Sequence, residues 1–292
     1  MIEKIVLGTA QFGLDYGINN KRGKIPKDEA FEILDTAVKN RINTIDTAYA
    51  YGESEEVIGR FLKMKSYYKN LKIISKLPSC SKEEIKSTLD ISLKRLSLSR
   101  IYGYLIHNFK NYKENPLIWK ELERLKQNSF IEKIGFSLYY PLEIELLFKD
   151  NLKIDIVQMP FNIFDQRFEP YFKEIKKRNI ELYVRSVFLQ GLVFKAIDEI
   201  DEFFNPIKDK LQQLNLFSKE KNISILSLCI NFALKNKFID KVVVGIDNLN
   251  HLYEIINSMN DCLVNENTIS QLRQFRLQDE KILLPFNWPK MR

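Results

Sequence analysis

The chain has 292 residues, of which 45% are hydrophobic and 28% are charged, a composition that indicates a globular protein and excludes a disordered one. Lys and Arg number 45 against 38 Asp and Glu, a net charge of +7, and the basic residues are dispersed among acids, which favours solvated helix faces over nucleic-acid binding. The two histidines and the isolated Cys80, Cys229 and Cys262 lack metal-ligand spacing, so no metal site is predicted.

Apolar periodicity predicts alternating strands and helices along the chain. Strands are predicted over residues 5–9, 43–47, 72–76, 101–106, 133–137, 154–159, 180–185 and 241–245. Helices are predicted over residues 28–39, 54–63, 116–127, 141–148, 169–178, 219–234 and 249–258. A further helix follows a capping box at residues 81–84 and presents Ile85, Leu89, Leu93 and Leu96 on one face.

This order of elements predicts the fold. The length allows one barrel-sized domain or two small ones, and no linker-like or low-complexity segment divides the sequence. Eight strand–helix units with right-handed crossovers match a closed (β/α)8 TIM barrel better than an open doubly wound sheet, so we predict a single α/β domain over residues 1–292. The tail at 276–292 contains Pro285 and Pro289, which exclude a long helix, and we expect it to pack over one end.

The amino terminus, the apolar stretches and the cysteines indicate the cellular compartment of the protein. The first four residues include charges, and no apolar core of a secretory signal follows them. The longest strongly apolar stretch, around residues 223–234, is shorter than the roughly 20 residues that cross a bilayer. Because scattered cysteines fit a reducing compartment, we expect a cytoplasmic protein with no membrane partner.

Chemically active side chains fall at the carboxyl ends of neighbouring strands, where barrel enzymes place their active sites. Asp46 and Tyr51 follow the second strand, Lys76 ends the third and His107 ends the fourth. A buried lysine needs a partner such as Asp46, although Asp46 alone could also cap the next helix. A lysine beside a phenol is expected to lower the pKa of that phenol, which suits proton donation from Tyr51 to a carbonyl oxygen as hydride reaches its carbon.

Several segments together resemble the aldo-keto reductase family over nearly the whole chain. They are Gly8–Gly13, Asp46–Gly52, Ser75-Lys76, Leu105–His107, Gly135–Ser137, Gln158 and Gln190–Leu192. The resemblance implies a catalytic tetrad of Asp46, Tyr51, Lys76 and His107. In it Tyr51 is the general acid, Lys76 depresses its pKa, Asp46 holds Lys76, and His107 orients the substrate carbonyl and assists proton transfer.

The resemblance also implies a nicotinamide cofactor, NADP or NAD, bound across the carboxyl face. No Gly-x-Gly-x-x-Gly follows a strand, and residues 17–24 depart from the phosphate-binding loop of NTPases in spacing and in Ile25. By resemblance, the carboxamide contacts are Ser137 and Gln158. The pyrophosphate loop is formed by Ser186 with Leu189 to Gly191, and the adenosine end by Gly245 and Glu254. The excess of positive charge would attract such a phosphorylated cofactor.

Three positions depart from the family pattern. Leu138 stands where an Asn usually contacts the carboxamide. Arg185 stands where an aromatic ring commonly stacks on the nicotinamide, a place that a guanidinium plane can also fill. Asp247 stands where a basic residue often receives the 2′-phosphate of NADP. A carboxylate there would repel phosphate and accept a ribose hydroxyl, so we expect NAD(H) to be accepted at least as well as NADP(H).

The substrate predicted from these residues is a small carbonyl compound. Four aromatic residues either line its pocket or pack in the core or a lid: Phe12, Tyr49, Phe109 and Trp288. Polar residues of the active-face loops favour a hydroxylated substrate such as a sugar derivative: Gln11, Asn108, Asn162 and Gln166. His251 lies on a predicted helix and is expected at the surface.

Two other classes of protein stay open. A non-catalytic, nicotinamide-binding regulatory subunit could keep the same tetrad as a redox-sensing partner. A barrel lyase or aldolase could use Lys76 as a Schiff-base nucleophile, since a desolvated lysine suits that role. Pairing with Asp46 would keep Lys76 charged, which favours the reductase.

Overall fold

The computed structural model describes residues 1–20, 22–65, 68, 71–259 and 261–289. Its eight strands run parallel and close into a barrel in chain order, each strand pairing with the next and β8 with β1. They are β1 (Ile5–Gly8), β2 (Thr44–Asp46), β3 (Lys72–Leu77), β4 (Ile101–Ile106), β5 (Ile131–Ser137), β6 (Ile156–Pro160), β7 (Glu181–Arg185) and β8 (Lys241–Gly245). The prediction of a single (β/α)8 barrel is therefore confirmed.

Helices alternate with these strands around the outside of the barrel. They are α1 (Lys27–Lys39), α2 (Ser54–Met64), α3 (Ile85–Leu96), α4 (Phe109–Glu114), α5 (Leu117–Gln127), α6 (Pro141–Lys149), α7 (Phe172–Lys177), α8 (Asn205–Lys221), α9 (Ile225–Leu234), α10 (Leu249–Ser258), α11 (Glu266–Leu272) and α12 (Glu280–Leu283). Within the described part of the chain, no helix is long and apolar enough to cross a membrane.

Two predicted helix boundaries are wrong. The continuous helix predicted over 219–234 is broken at Asn222, whose left-handed backbone (φ 54°) ends α8, and Ser224 caps a new helix by accepting from the Ser227 amide. The capping box at 81–84 is a turn that precedes α3. There the Glu84 carboxylate accepts from the Ser81 amide and from the Ser81 hydroxyl, over 2.8 and 2.9 Å, so one half of the predicted box forms, but no side chain caps the first turn of α3.

Side chains inside the barrel fill successive layers and thereby position the site. One layer is a buried apolar cluster contributed by alternate strand positions: Val6, Ile74, Leu105, Ile156, Tyr183 and Val243. Because side chains alternate between the two faces of a strand, the inward positions two residues further on form the next layer. That layer contains Gly8, Lys76, His107, Gln158, Arg185 and Gly245. The candidate catalytic residues therefore lie directly above a packed apolar layer of the barrel interior.

The described part of the carboxyl-terminal tail packs on loops beside the carboxyl face. The Leu277 amide donates to the Phe164 carbonyl, and Glu280 pairs with the buried Arg167 over 2.8 Å. The Trp288 ring meets Phe204 edge-on with centroids 4.9 Å apart. The described tail contains one short α-helix, α12, followed by a 3-10 turn over Pro285–Asn287, and residues 290–292 of the predicted tail lie outside the described residues.

Candidate active site

A buried ion pair lies at the centre of the site. Lys76 Nζ donates to Asp46 Oδ2 over 2.6 Å and to the Thr47 carbonyl over 2.8 Å. The two side chains are 1% and 4% exposed. Burial lowers the pKa of Lys76, and the charge of Asp46 opposes that shift. The predicted pairing of Lys76 with Asp46 is confirmed.

Gln158 completes the coordination of the same carboxylate from β6. Its Nε2 donates to Asp46 Oδ1 over 2.7 Å, so both oxygens of Asp46 are engaged. Its Oε1 is buried and has no hydrogen-bond partner among the described residues. A buried acceptor without a donor is costly, so this atom is available to a donor that enters the site. Nothing in the sequence signals the bond to Asp46, which depends on strands far apart in the chain.

Tyr51 and His107 lie next to the ion pair. Their rings meet edge-on with centroids 5.8 Å apart, and Lys76 Nζ lies 5.0 Å from the Tyr51 ring centroid. Burial, with smaller contributions from Lys76 and Arg185, lowers the pKa of His107 to about 3. His107 is therefore neutral at physiological pH. One nitrogen of its imidazole then donates a hydrogen bond and the other accepts one.

The expected lowering of the Tyr51 pKa by Lys76 is wrong for this structure. Burial raises the pKa of Tyr51 well above its ordinary value, and the negative charge of Asp46 raises it further. Because Asp46 neutralises the ammonium of Lys76 at 2.6 Å, little of its field is left to stabilise a phenolate. Tyr51 is accordingly a protonated phenol at neutral pH.

Two glycines fix the backbone that carries Tyr51. A Cβ on Gly13 would lie 1.8 Å from the Tyr51 carbonyl oxygen, and one on Gly52 would lie 2.4 Å from the Gly13 carbonyl oxygen. Gly52 also has φ +53°, a conformation that residues other than glycine seldom adopt. The loop after β1 therefore presses directly against the segment that presents Tyr51.

A buried hydroxyl cluster, which the sequence analysis did not identify, ties the first two strands to α2. Ser54 Oγ lies 2.8 Å from Thr9 Oγ1 and 2.9 Å from Thr47 Oγ1. Thr9 Oγ1 in turn donates to the carbonyl oxygen of Asp46 over 2.9 Å. Three short polar residues at separate sites in the sequence thus hold the backbone on both sides of Asp46.

A cleft of about 900 Å³, open to solvent, runs across the carboxyl face from Tyr51 toward β8. Its lining includes Tyr51 and Asp46 from the predicted tetrad, while Lys76 lies behind Asp46. The lining also includes these predicted cofactor residues: Gln158, Arg185, Ser186, Gly191, Gly245 and Asp247. Two other predicted contacts, Ser137 and Leu189, are buried and absent from the lining, although Ser137 lies beside Gln158 in the strand register.

The loop after β7 closes one side of the cleft with a strained backbone. Ser186, Leu189 and Gln190 have φ of 61°, 46° and 52°, in the left-handed region. Hydrogen bonds to the loop after β1 hold it: Gln190 O accepts from the Ile18 amide, and Gly191 O accepts from Asn19 Nδ2. The two loops bridge the cleft directly, an arrangement that the sequence did not predict.

Arg185 contacts Leu138, another of the three departures from the family pattern. Its Nη2 donates to the Leu138 carbonyl over 2.9 Å, and its guanidinium carbon lies 4.2 Å from the Tyr139 ring centroid. The side chain is half-buried and lines the cleft. Its planar group is therefore held by neutral partners.

The far end of the cleft is rich in acids. Asp247 accepts from Gln11 Nε2 over 3.1 Å, and Glu254 lines the adjoining groove with Glu29. Among the described residues of this groove, Arg22 is the basic one, and it donates from both Nη atoms to the Glu29 carboxylate. The prediction that His251 is a surface residue is wrong: its side chain is 14% exposed, lines the cleft and lies against Asp247 and Phe188. Burial lowers the pKa of His251, opposed by the charges of Asp247 and Glu254.

Most of the residues considered for the substrate pocket have structural roles. Phe12 and Phe109 are buried in the core, Arg95 covers Tyr49, and Trp288 packs on Phe204, so all four aromatics pack outside the lining of the cleft. Asn108 caps α4, while Asn162 and Gln166 bond to neighbouring backbone atoms. Of the four polar residues that favoured a hydroxylated substrate, Gln11 lines the cleft and the other three do not.

Comparison with known proteins agrees with the fold and the motifs. The sequence model of the Aldo/keto reductase family matches residues 4–276, so the chain belongs to that family and is an oxidoreductase of it. It is 24% identical to the uncharacterized oxidoreductase YqkF of Bacillus subtilis (strain 168), covering 95% of this chain and 98% of that protein. It is 30% identical to the glyoxal reductase of the same organism over 56% of this chain and 60% of that protein.

The fold is also that of a solved relative. An aldo-keto reductase from Bacillus halodurans in its holo form superposes with a TM-score of 0.78, covering 94% of each chain at 20% identity. The family generally uses NAD(P)H. Among the described residues, no cluster of His, Cys, Asp or Glu could hold a metal ion.

Proposed function

We propose that the protein reduces the carbonyl group of a small aldehyde, ketone or sugar-like substrate, with NAD(P)H as the hydride donor and Tyr51 as the general acid. The observation that carries this proposal is the protonated Tyr51 phenol at one end of the cleft. It stands beside a neutral His107 and above the Lys76–Asp46 pair. A neutral acid is what a carbonyl oxygen needs as negative charge develops on it.

Each residue then has a distinct task. Tyr51 donates its phenolic proton to the carbonyl oxygen, and its raised pKa keeps that proton in place until negative charge appears there. His107, neutral because it is buried, can donate a second hydrogen bond to the same oxygen and orient the substrate. Lys76, held by Asp46, lies 5.0 Å from the centroid of the Tyr51 ring and helps to position the phenol.

The residues of the cleft fit a nicotinamide dinucleotide. No donor from the described part of the chain reaches the buried Gln158 Oε1, and a carboxamide N–H can supply one. NAD(P)H, when bound, supplies the hydride. At the far end Asp247 stands with Glu254 and Glu29, and the arginine there among the described residues is already paired, which supports acceptance of NAD(H) at least as well as NADP(H).

The surroundings of Lys76 favour a reductase over a Schiff-base aldolase. Its Nζ is 2.6 Å from a carboxylate and 2.8 Å from a carbonyl, and the side chain is 1% exposed. Attack on a substrate carbonyl needs a free, neutral amine that can reach the substrate, and this amine is charged and engaged.

A nicotinamide absorbance assay tests the proposal. Purified protein is incubated with NADH or NADPH and a panel of aldehydes, ketoses and keto-sugars, and consumption of the reduced cofactor is followed. We expect turnover with at least one aldehyde and with both cofactors. Cofactor binding without any turnover would instead support a regulatory subunit, and trapping of substrate on Lys76 by borohydride would support an aldolase.

A further inference from the structure

Arg185 carries a charge that the proposed reduction does not use. It is the last residue of β7, two positions beyond the buried Tyr183, and so points into the barrel layer that contains Gln158 and Lys76. Its side chain lines the cleft together with Tyr51 and Gln158. Because Tyr51 delivers the proton to one atom of the carbonyl and hydride reaches the adjacent atom, the hydride-donating ring lies at this end of the cleft.

The contacts of Arg185 fix its position without neutralising it. Nη2 donates to the Leu138 carbonyl over 2.9 Å, Nη1 donates to Ser186 Oγ over 3.3 Å, and the plane lies over Tyr139. All three partners are uncharged. Among the described residues, none of the carboxylates lies within ion-pair distance of this guanidinium.

Two acids of this region, Asp46 and Glu143, have other partners. Asp46 is occupied by Lys76 and Gln158. The charge of Arg185 acts on the Glu143 carboxylate, but that carboxylate accepts from the Tyr139 and Tyr140 amides over 2.7 and 3.1 Å. Lys76 and Asp46 cancel one another and His107 is neutral, so Arg185 is the charged side chain without an ion-pair partner among the described residues that line the reacting end of the cleft.

We propose that Arg185 makes the cleft select the redox state of the cofactor, binding NAD(P)H more tightly than NAD(P)+. This inference rests on the proposed function. The nicotinamide ring is cationic in the oxidised dinucleotide and neutral in the reduced one, while the rest of the molecule is the same in both. A fixed guanidinium therefore repels only the oxidised ring.

The charge of Arg185 affects both the chemical step and the exchange of cofactor, in opposite senses. When hydride, with its two electrons, leaves the neutral ring for the carbonyl carbon, and the proton of Tyr51 goes to the carbonyl oxygen, the ring becomes cationic. Arg185 opposes that charge during the step and then promotes release of the oxidised cofactor. The free enzyme therefore binds mainly the reduced cofactor, which is the form that carbonyl reduction requires.

The test is the dissociation constant of each cofactor form, measured by isothermal titration without substrate. The proteins compared are the wild type, Arg185→Gln, which removes the charge, and Arg185→Lys, which keeps it; circular dichroism checks their fold. We expect the wild type to favour the reduced form. In Arg185→Gln the ratio of oxidised to reduced dissociation constants should fall by about tenfold, the scale of two unit charges a few ångströms apart in a partly solvated site. Arg185→Lys should keep most of the ratio.

The outcomes separate this inference from the function on which it rests. An unchanged ratio in Arg185→Gln, or an Arg185→Lys ratio as low as that of Arg185→Gln, would overturn the inference while the wild type still reduces aldehydes. Failure of the wild type to bind either cofactor form would overturn the proposed function and the inference with it.

Discussion

Lys76 donates from Nζ to Asp46 over 2.6 Å in a layer of the barrel where neither side chain is more than 4% exposed. The pair is the point at which three strands meet, because Gln158 of β6 binds the other oxygen of Asp46. Removing one partner of such a pair leaves a charge buried without compensation, whereas removing both charges does not.

A double-mutant cycle follows from this relationship. We expect Asp46→Asn and Lys76→Met to destabilise the protein by about 3 kcal/mol each, since each leaves a buried charge without its partner. The double variant should lose at least 1 kcal/mol less than the sum of the two, roughly the coupling expected of contacting residues. Urea unfolding of the wild type, the two single variants and the double variant measures this coupling energy. Simple additivity would mean that the pair is not coupled.

Gly13 is expected to be essential for the placement of Tyr51. In Gly13→Ala the new Cβ would lie 1.8 Å from the Tyr51 carbonyl oxygen, so the Tyr51 segment must move. A displacement of about 1 Å can reduce catalysis by about a hundredfold. We expect kcat/KM for aldehyde reduction to fall by that factor, with the barrel still folded by circular dichroism. Wild-type activity in this variant would show that the contact does not position Tyr51.

His107 should make the stability of the protein sensitive to acid. The unfolded chain binds a proton at this residue below about pH 6.5, whereas the native protein resists protonation until about pH 3. The stability due to the neutral imidazole is thus complete above pH ~6.5 and is lost as the pH falls through this window.

Comparison with His107→Gln isolates that contribution. Between pH 7 and pH 5 the wild type should lose about 1 to 2 kcal/mol more than the variant, because one proton is linked to unfolding over most of this interval. Urea unfolding at several pH values provides the measurement. Parallel stability curves for the two proteins would contradict the low pKa of His107.

Asp247 should determine whether the adenosine end of the cleft prefers NAD(H) or NADP(H). We expect Asp247→Arg to improve the dissociation constant of NADPH relative to that of NADH by about tenfold, because a cation then replaces a carboxylate beside the 2′ position. Asp90→Arg makes the same charge change on the exposed side of α3 and should leave the ratio unchanged. A strong preference of the wild type for NADP(H) would refute this role for Asp247.

The strand order, the barrel and the Lys76–Asp46 pair could be predicted because each depends on a local pattern. Strand and helix periods alternate along the chain, and an apolar strand that ends in lysine requires a buried acid. The break at Asn222 was missed because apolar spacing continues across it, and only the left-handed backbone of that residue shows the end of α8.

The remaining errors concern burial and contacts between distant segments. The raised pKa of Tyr51 results from how deeply the barrel buries it, and a motif does not report depth. His251 lies in the cleft in contact with Asp247 and Phe188, which are on different loops. Polarity alone suggests a substrate role for Asn162, whereas its side chain accepts from backbone amides of its own loop.

The central claim is that Tyr51 donates the proton in a nicotinamide-dependent carbonyl reduction. Its most direct test is the rate of NAD(P)H oxidation by the wild type, Tyr51→Phe and the matched control Tyr49→Phe, whose ring packs under Arg95 away from the cleft. We predict that Tyr51→Phe lowers kcat/KM for an aldehyde by about 10²- to 10⁴-fold, as loss of a general acid does, with cofactor affinity retained and Tyr49→Phe active. Turnover by Tyr51→Phe at the wild-type rate would contradict the account.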